Sequence, residues 1–186
     1  MKNRTLIHIL LLLSGLVVAV SAQTAQTTKS RTPTQVLLGS IAAAERELTG
    51  IATEMPDDKY QFAPTAGAFR GVRNFAEQVK HAAAVHHLVA ATILGDPITS
   101  DMADERGPDS VKTKADVLKY LNDSFVRLKK AAATIDEKNA FVAMKIGSES
   151  VSDTRMGLML VALTHASNHY GQIVEYLRMN GIVPPQ

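Results

Sequence analysis

Four stretches of this chain repeat apolar residues at intervals of three and four, and none sustains the period-two alternation of a strand. In the first, Val36, Leu37, Ile41, Ala44, Leu48 and Ile51 follow a Thr32-Pro33 start and precede the breaker Pro56. In the second, predicted over 71–94, the stripe is Val72, Phe75, Val79, Ala83, Leu88 and Ala91. Val117, Leu121, Phe125, Leu128 and Ile135 mark the third, which opens at Thr113 with Asp116 three residues on, a pair of the capping-box type. The fourth begins after Ser152-Asp153 and runs to Asn180, where Gly181 and then Pro184-Pro185 stop it. An amphipathic helix must bury its apolar stripe, and four of about 20 to 27 residues predict an all-α four-helix bundle. The helices are expected near 33–55, 71–94, 113–135 and 153–180, with Leu121, Phe125, Leu158 and Val161 turned inward. The stretches 56–71 and 95–110 carry prolines, glycines and aspartates and read as connections. Their lengths leave the order of helices around the bundle open.

The amino terminus stands apart. Lys2 and Arg4 precede the apolar run LIHILLLLSGLVVAV, and the small residues SAQ follow it. This is the pattern of a secretory signal peptide over 1–22, cleaved after Ala22, which implies a periplasmic or secreted protein. The alternative is an uncleaved anchor, for which the run is only just short of the about 20 residues that span a bilayer. The polar, aperiodic QTAQTTKSRT of 23–32 reads as a flexible leader, leaving 33–186 as the bundle domain.

Lys2 and Arg4 are two of the 20 basic residues, and none of the 18 acidic ones lies before residue 23. The chain after Ala22 therefore balances 18 against 18, so neither a nucleic acid nor an anionic membrane is an expected partner. With no cysteine there is no disulfide, no thiolate nucleophile and no Cys-ligated zinc.

Chemistry is concentrated in the histidines. His165 and His169 stand four apart, and positions so spaced differ by about 40° around a helix, so both rings leave one side. That is the spacing by which a helix chelates a metal, but Ala166 stands where a metallopeptidase of the H-E-x-x-H kind needs its glutamate. Leu158, Val161 and Ala162 on one side of the pair and Gln172 and Tyr176 on the other make a face without charge, which points the rings inward. A surface pair, or core histidines bonded to backbone, is the reading that competes. A third ligand is found in the second helix, where His81 shares a mainly apolar side with Glu77, Ala84, Val85 and Leu88. His86 and His87 fall about 140° and 120° away on that wheel and are expected at the surface or between helices, dispensable for metal.

The segment VRNFAEQVKHAAAVHHLVAATILG and the terminal HASNHYGQIVEYLRMNGIVPP closely resemble the DinB/YfiT-like family of metal-binding four-helix bundles, a likeness running from about Thr34 to Pro185. The resemblance implies one ligand histidine in the second helix and two in the last, which fall on His81, His165 and His169. Many relatives carry glutamate where this chain has Asn168, a position that is not a ligand in the family pattern. Zinc, nickel, iron and copper all suit imidazole, so the resemblance implies a divalent metal without naming it. Asn74, Glu77, Gln78, Gln172 and Tyr176 are candidates to hold the rings from behind. The family implies thiol S-transferase-like chemistry on a small molecule. Metal-dependent hydrolysis is the second enzymatic reading, and a non-catalytic metal-binding or structural protein of the cell envelope, monomer or homodimer, is the third.

Overall fold

The first long helix, α1 (Pro33–Glu54), begins as its sequence dictates: the Thr32 hydroxyl accepts from Gln35 N and the Gln35 side chain accepts from Thr32 N, with Pro33 in the first turn. The computed structural model describes residues 30–145 and 152–185, so the signal segment and most of the leader lie outside the described residues. Three further long helices follow, α2 (Phe75–Leu94), α4 (Lys114–Ala132) and α5 (Arg155–Met179). A single turn, α3 (Ser100–Ala103), interrupts the loop between α2 and α4. A two-stranded antiparallel hairpin of β1 (Ala143–Lys145) and β2 (Ser152–Thr154) leads into α5, with Met144 opposite Asp153. Its strands are three residues long, too short for alternation to show. No described helix is long and apolar enough to cross a membrane.

The helix α2 starts at Phe75, four residues later than expected, because Asn74 is its cap and Glu77 returns the bond to Asn74 N. Val72 consequently lies outside the helix and is exposed. The loop ahead of α2 supplies carbonyls for two amides that a helix start leaves unpaired: Phe75 N donates to Phe62 O at 2.8 Å and Ala76 N to Tyr60 O at 2.9 Å. Tyr60 also sets its ring edge-on to Phe75 at 5.0 Å, and its hydroxyl donates to Ala52 O. The start of α2 is thereby fixed on both its polar and apolar sides, one turn before its functional residues.

Both α1 and α2 pack against α4 and α5, so the helices run in the order α1, α4, α2, α5 around the bundle, with α1 diagonal to α2. Ile41, Phe75, Leu121, Phe125 and Leu158 are wholly or almost wholly buried at the centre, each worth about 1.5–3 kcal/mol of transfer free energy. Val161 departs from expectation: it is 45% exposed. The buried seam of α5 runs through Leu158, Ala162, Ala166, His169 and Ile173, which leaves Val161 and His165 along its edge.

Candidate metal centre

α5 sends His165 and His169 to the same side, and α2, its neighbour in the bundle, brings His81 to meet them. His165 Nε2 lies 3.0 Å from His81 Nε2 and 3.2 Å from His169 Nε2. The three ring centroids are 4.4 to 4.8 Å apart. Four ligands arranged tetrahedrally at about 2.0–2.1 Å from zinc stand about 3.3–3.4 Å from each other, close to the spacing of these nitrogens.

The opposite nitrogens decide which atoms offer lone pairs. His81 Nδ1 lies 2.8 Å from the backbone oxygen of Glu105, which only accepts, so Nδ1 carries the hydrogen and Nε2 is bare. His169 Nδ1 lies 2.7 Å from Gln78 Oε1, with the same consequence. Two lone pairs therefore face His165, whose single N–H cannot be directed well at both. If that hydrogen sits on Nε2, the buried Nδ1 is left with a lone pair and no partner among the described residues. An unmet buried polar atom costs about 1–3 kcal/mol. A cation at the point of convergence accepts from all three Nε2 atoms at once, so the donor set fits a metal ion.

Electrostatics keep the rings ready as ligands. Burial is the largest cause holding His81 below its ordinary value; the Glu105 carbonyl counters it in part and Arg73 adds to it. Burial, then the charges of neighbouring rings and of Arg73, lowers His165 to about 4 and His169 to about 3. All three are neutral near pH 7, the form that binds metal. The acidic group beside them is the Glu105 carboxylate, 3.7 Å from His81 Nδ1 and on the side of that ring away from Nε2.

Of the five residues expected behind the rings, two belong there. Gln78, 4% exposed on α2, receives His169 and donates from Nε2 to Gln172 Oε1 at 3.1 Å, and Gln172 donates to Asn168 Oδ1 at 3.0 Å. Asn74 and Glu77 serve the helix cap instead, and the Tyr176 hydroxyl donates to Arg73 O. Glu105 was not foreseen. Its backbone sits at φ +54°, in the left-handed region that side chains seldom adopt, and this turns its carbonyl to His81. Lys80 secures the same loop by donating to Pro108 O. A cleft of about 370 Å³ opens between this loop and the start of α2, lined by Arg73, Glu77, Lys80, Arg106, Gly107 and Asp109 among others.

His86 and His87 are not surface residues. His86 is 0% exposed, with its ring 4.7 Å from Phe125 and Nδ1 3.2 Å from Ser124 Oγ; His87 is 8% exposed against Tyr120. Both lie between α2 and α4, and neither joins the three-ring cluster. The reason is the environment of α2, which buries 16 of its 20 residues and so has almost no solvent side.

A bundle of four long helices with three histidines converging from its second and last defines a class, and sequence comparison gives it a family. The chain belongs to the DinB superfamily, whose family model matches residues 40–173, all three histidines included. Among solved structures it is similar to a DinB-like protein from Bacillus subtilis, at 18% identity and TM-score 0.62 over 81% of this chain and 96% of that one. A DinB-like protein from Bacillus cereus gives 12% identity and TM-score 0.61, covering 81% and 94%. The sibling lethal factor precursor DfsB gives 13% and 0.60, covering 83% and 100%. At these identities the likeness is one of fold. No curated protein matches the chain.

Proposed function

We propose that this is an exported protein that holds one divalent cation through Nε2 of His81, His165 and His169 and uses it to activate a small molecule. The observation that carries the proposal is the pairing behind the rings: Glu105 O and Gln78 Oε1 fix the hydrogens on Nδ1 and leave two lone pairs aimed at a third ring. When bound, the metal supplies Lewis acidity and open coordination positions. Three neutral imidazoles do not offset its double charge, and Arg73 adds a further positive charge beside all three rings.

That environment favours an anionic partner, and a thiol that ionises on binding meets the requirement. The Glu105 carboxylate lies on the Nδ1 side of His81, away from the three Nε2 atoms. The cleft lined by Arg73, Glu77, Lys80 and Arg106 has room for a small substrate.

The test begins with elemental analysis of protein purified without an affinity tag, beside His81→Ala, His165→Ala and His169→Ala. Near-stoichiometric metal in the parent and loss in each variant is the expected result, and it names the ion. A parent without metal, whose melting temperature no divalent ion moves, sinks the reading. Thiol conjugation to an electrophile is then assayed against hydrolysis of small esters and amides. Conjugation abolished in His165→Ala supports transfer, hydrolysis alone reverses the choice, and silence in both leaves a metal-binding protein without catalysis. Mass determination of the amino terminus tests export, with Gln23 expected as the first residue.

A further inference from the structure

The hydrogen-bond acceptors behind the ligand rings are neutral at both points where the structure shows one, and the one carboxylate described near them, Glu105, stands 3.7 Å from His81 Nδ1 and not behind His169. His81 meets a backbone carbonyl and His169 meets an amide oxygen. A carboxylate is the usual alternative in such a place, and it would lend negative charge to the imidazole and through it to the metal. Gln78 is well placed for a defined role. It lies one turn before His81 on α2, is 4% exposed, and crosses to α5 to meet His169 at 2.7 Å.

Its oxygen faces the ring at one end of a run of amides that reaches α5. Gln172 presents Oε1 to Gln78 Nε2 while its own Nε2 is engaged by Asn168 Oδ1. In this arrangement Gln78 turns its oxygen, not its NH₂, to the ring. The reverse orientation would place a donor against His169 Nδ1, move the ring hydrogen to Nε2 and remove the lone pair from the centre. Asn168 and Gln172 lie three and seven residues from His165 on the same helix, so α5 carries both the ligands and the far end of the chain that orients one of them.

We propose that Gln78 is the positioning residue of this centre, and that its neutral amide adds no negative charge through His169, leaving the bound metal more positive toward an anionic ligand than a carboxylate at that position would. The inference rests on the metal reading above, and its two halves are separable. The first concerns orientation: Gln78 fixes the His169 hydrogen on Nδ1 with or without metal. The second concerns charge: glutamate at the same position orients the ring equally well, because a carboxylate accepts from Nδ1 and the exposed Gln172 amide can turn to donate to it. Glutamate should therefore strengthen metal binding while weakening the hold on an anion.

The experiment uses the full-length mature protein with cobalt(II) as the metal and thiocyanate as the anion. Cobalt affinity is measured by competition and thiocyanate affinity from the visible spectrum, in the parent, Gln78→Met and Gln78→Glu. Gln78→Met is expected to lower cobalt affinity by about 10- to 100-fold. Gln78→Glu is expected to raise it by about tenfold and to weaken thiocyanate binding by a similar factor, a change of sign that simple loss of packing does not produce. If both variants lose cobalt affinity alike, Gln78 is a packing residue and the proposal falls. If Gln78→Glu tightens cobalt and leaves thiocyanate unchanged, the charge half falls. Nitrogen-15 NMR of the metal-free parent reads the orientation half by itself: a hydrogen on His169 Nδ1 supports it, and the Nε2 form overturns it. A parent that takes up no cobalt refutes the metal reading and the charge half, while the NMR result still decides what Gln78 does to His169.

Discussion

Acid should weaken this bundle through a histidine outside the metal centre, and the effect can be isolated by one substitution. His86 is wholly buried, its ring against Phe125. The Ser124 hydroxyl spends its hydrogen on Leu121 O at 2.7 Å, so it receives one from His86 Nδ1. Burial first, then the neighbouring His165 and His87, pushes His86 from 6.5 down to about 3. A base whose folded pKa is depressed contributes its full stability above the unfolded value, where the ring is neutral in both states. That stability is lost as pH falls from about 6.5 toward about 3, because only the unfolded chain takes the proton. One such group approaches about 1.4 kcal/mol per pH unit in that window, or about 2 kcal/mol in all between pH 7.5 and pH 5. Against a typical domain stability of about 5–15 kcal/mol this is readily measured. Urea unfolding of chelator-treated parent and His86→Leu, at several pH values between about 7.5 and about 5, gives the comparison. His81, His165 and His169 titrate in both proteins and cancel in the difference. The stability of the variant relative to the parent should rise by about 2 kcal/mol from pH 7.5 to pH 5. A difference that stays constant over that range would refute the assignment of His86 as a neutral core residue.

Replacing His86 and His87 together by leucine should leave metal stoichiometry at that of the parent, measured by elemental analysis, since neither ring reaches the cluster. Phe125→Ala removes a fully buried ring from the α2–α4 interface and should cost about 3–5 kcal/mol in urea unfolding. Glu105→Gly relaxes a side chain held at φ +54° yet keeps the carbonyl that meets His81. It should leave metal content unchanged and stability equal or higher by about 1 kcal/mol, whereas metal loss would show that the carboxylate, not the carbonyl, serves the ring.

What could be read in the sequence depended on where each piece of information lies. His165 and His169 share one helix, so their common direction follows from the helical period alone, and the partial exposure of Val161 shows the wheel's error to be a fraction of a turn. The fold class followed in the same way, since each stripe is local. His86 and His87 were expected at the surface or between helices, and the choice stayed open because α2 was given a wet side. The sequence held a contrary signal, for Glu77 and Lys80 are the only charged residues among its 20, and a helix apolar all round is a buried one. Gln78 was among the candidates but could not be preferred to Glu77 before the cap had claimed the latter. Glu105 was beyond reach, because it acts through a backbone carbonyl that every residue possesses, aimed by a loop conformation. The order of helices was beyond reach too, since connections of that length reach either an adjacent or a diagonal neighbour.

That order has a kinetic consequence. His81 and His165 are 84 positions apart along the chain, and they meet only because α5, the last of the described helices, packs beside α2. An ion held by both ends of so long a loop is captured late, after the slow long-range contacts have formed. Interactions absent from the folding transition state leave the folding rate nearly untouched and retard unfolding instead. In a chain without a single cysteine, the three imidazoles would thus serve as a reversible clasp. If the cluster holds a metal as proposed, removing it should shorten the lifetime of the folded protein severalfold while refolding proceeds at its former pace.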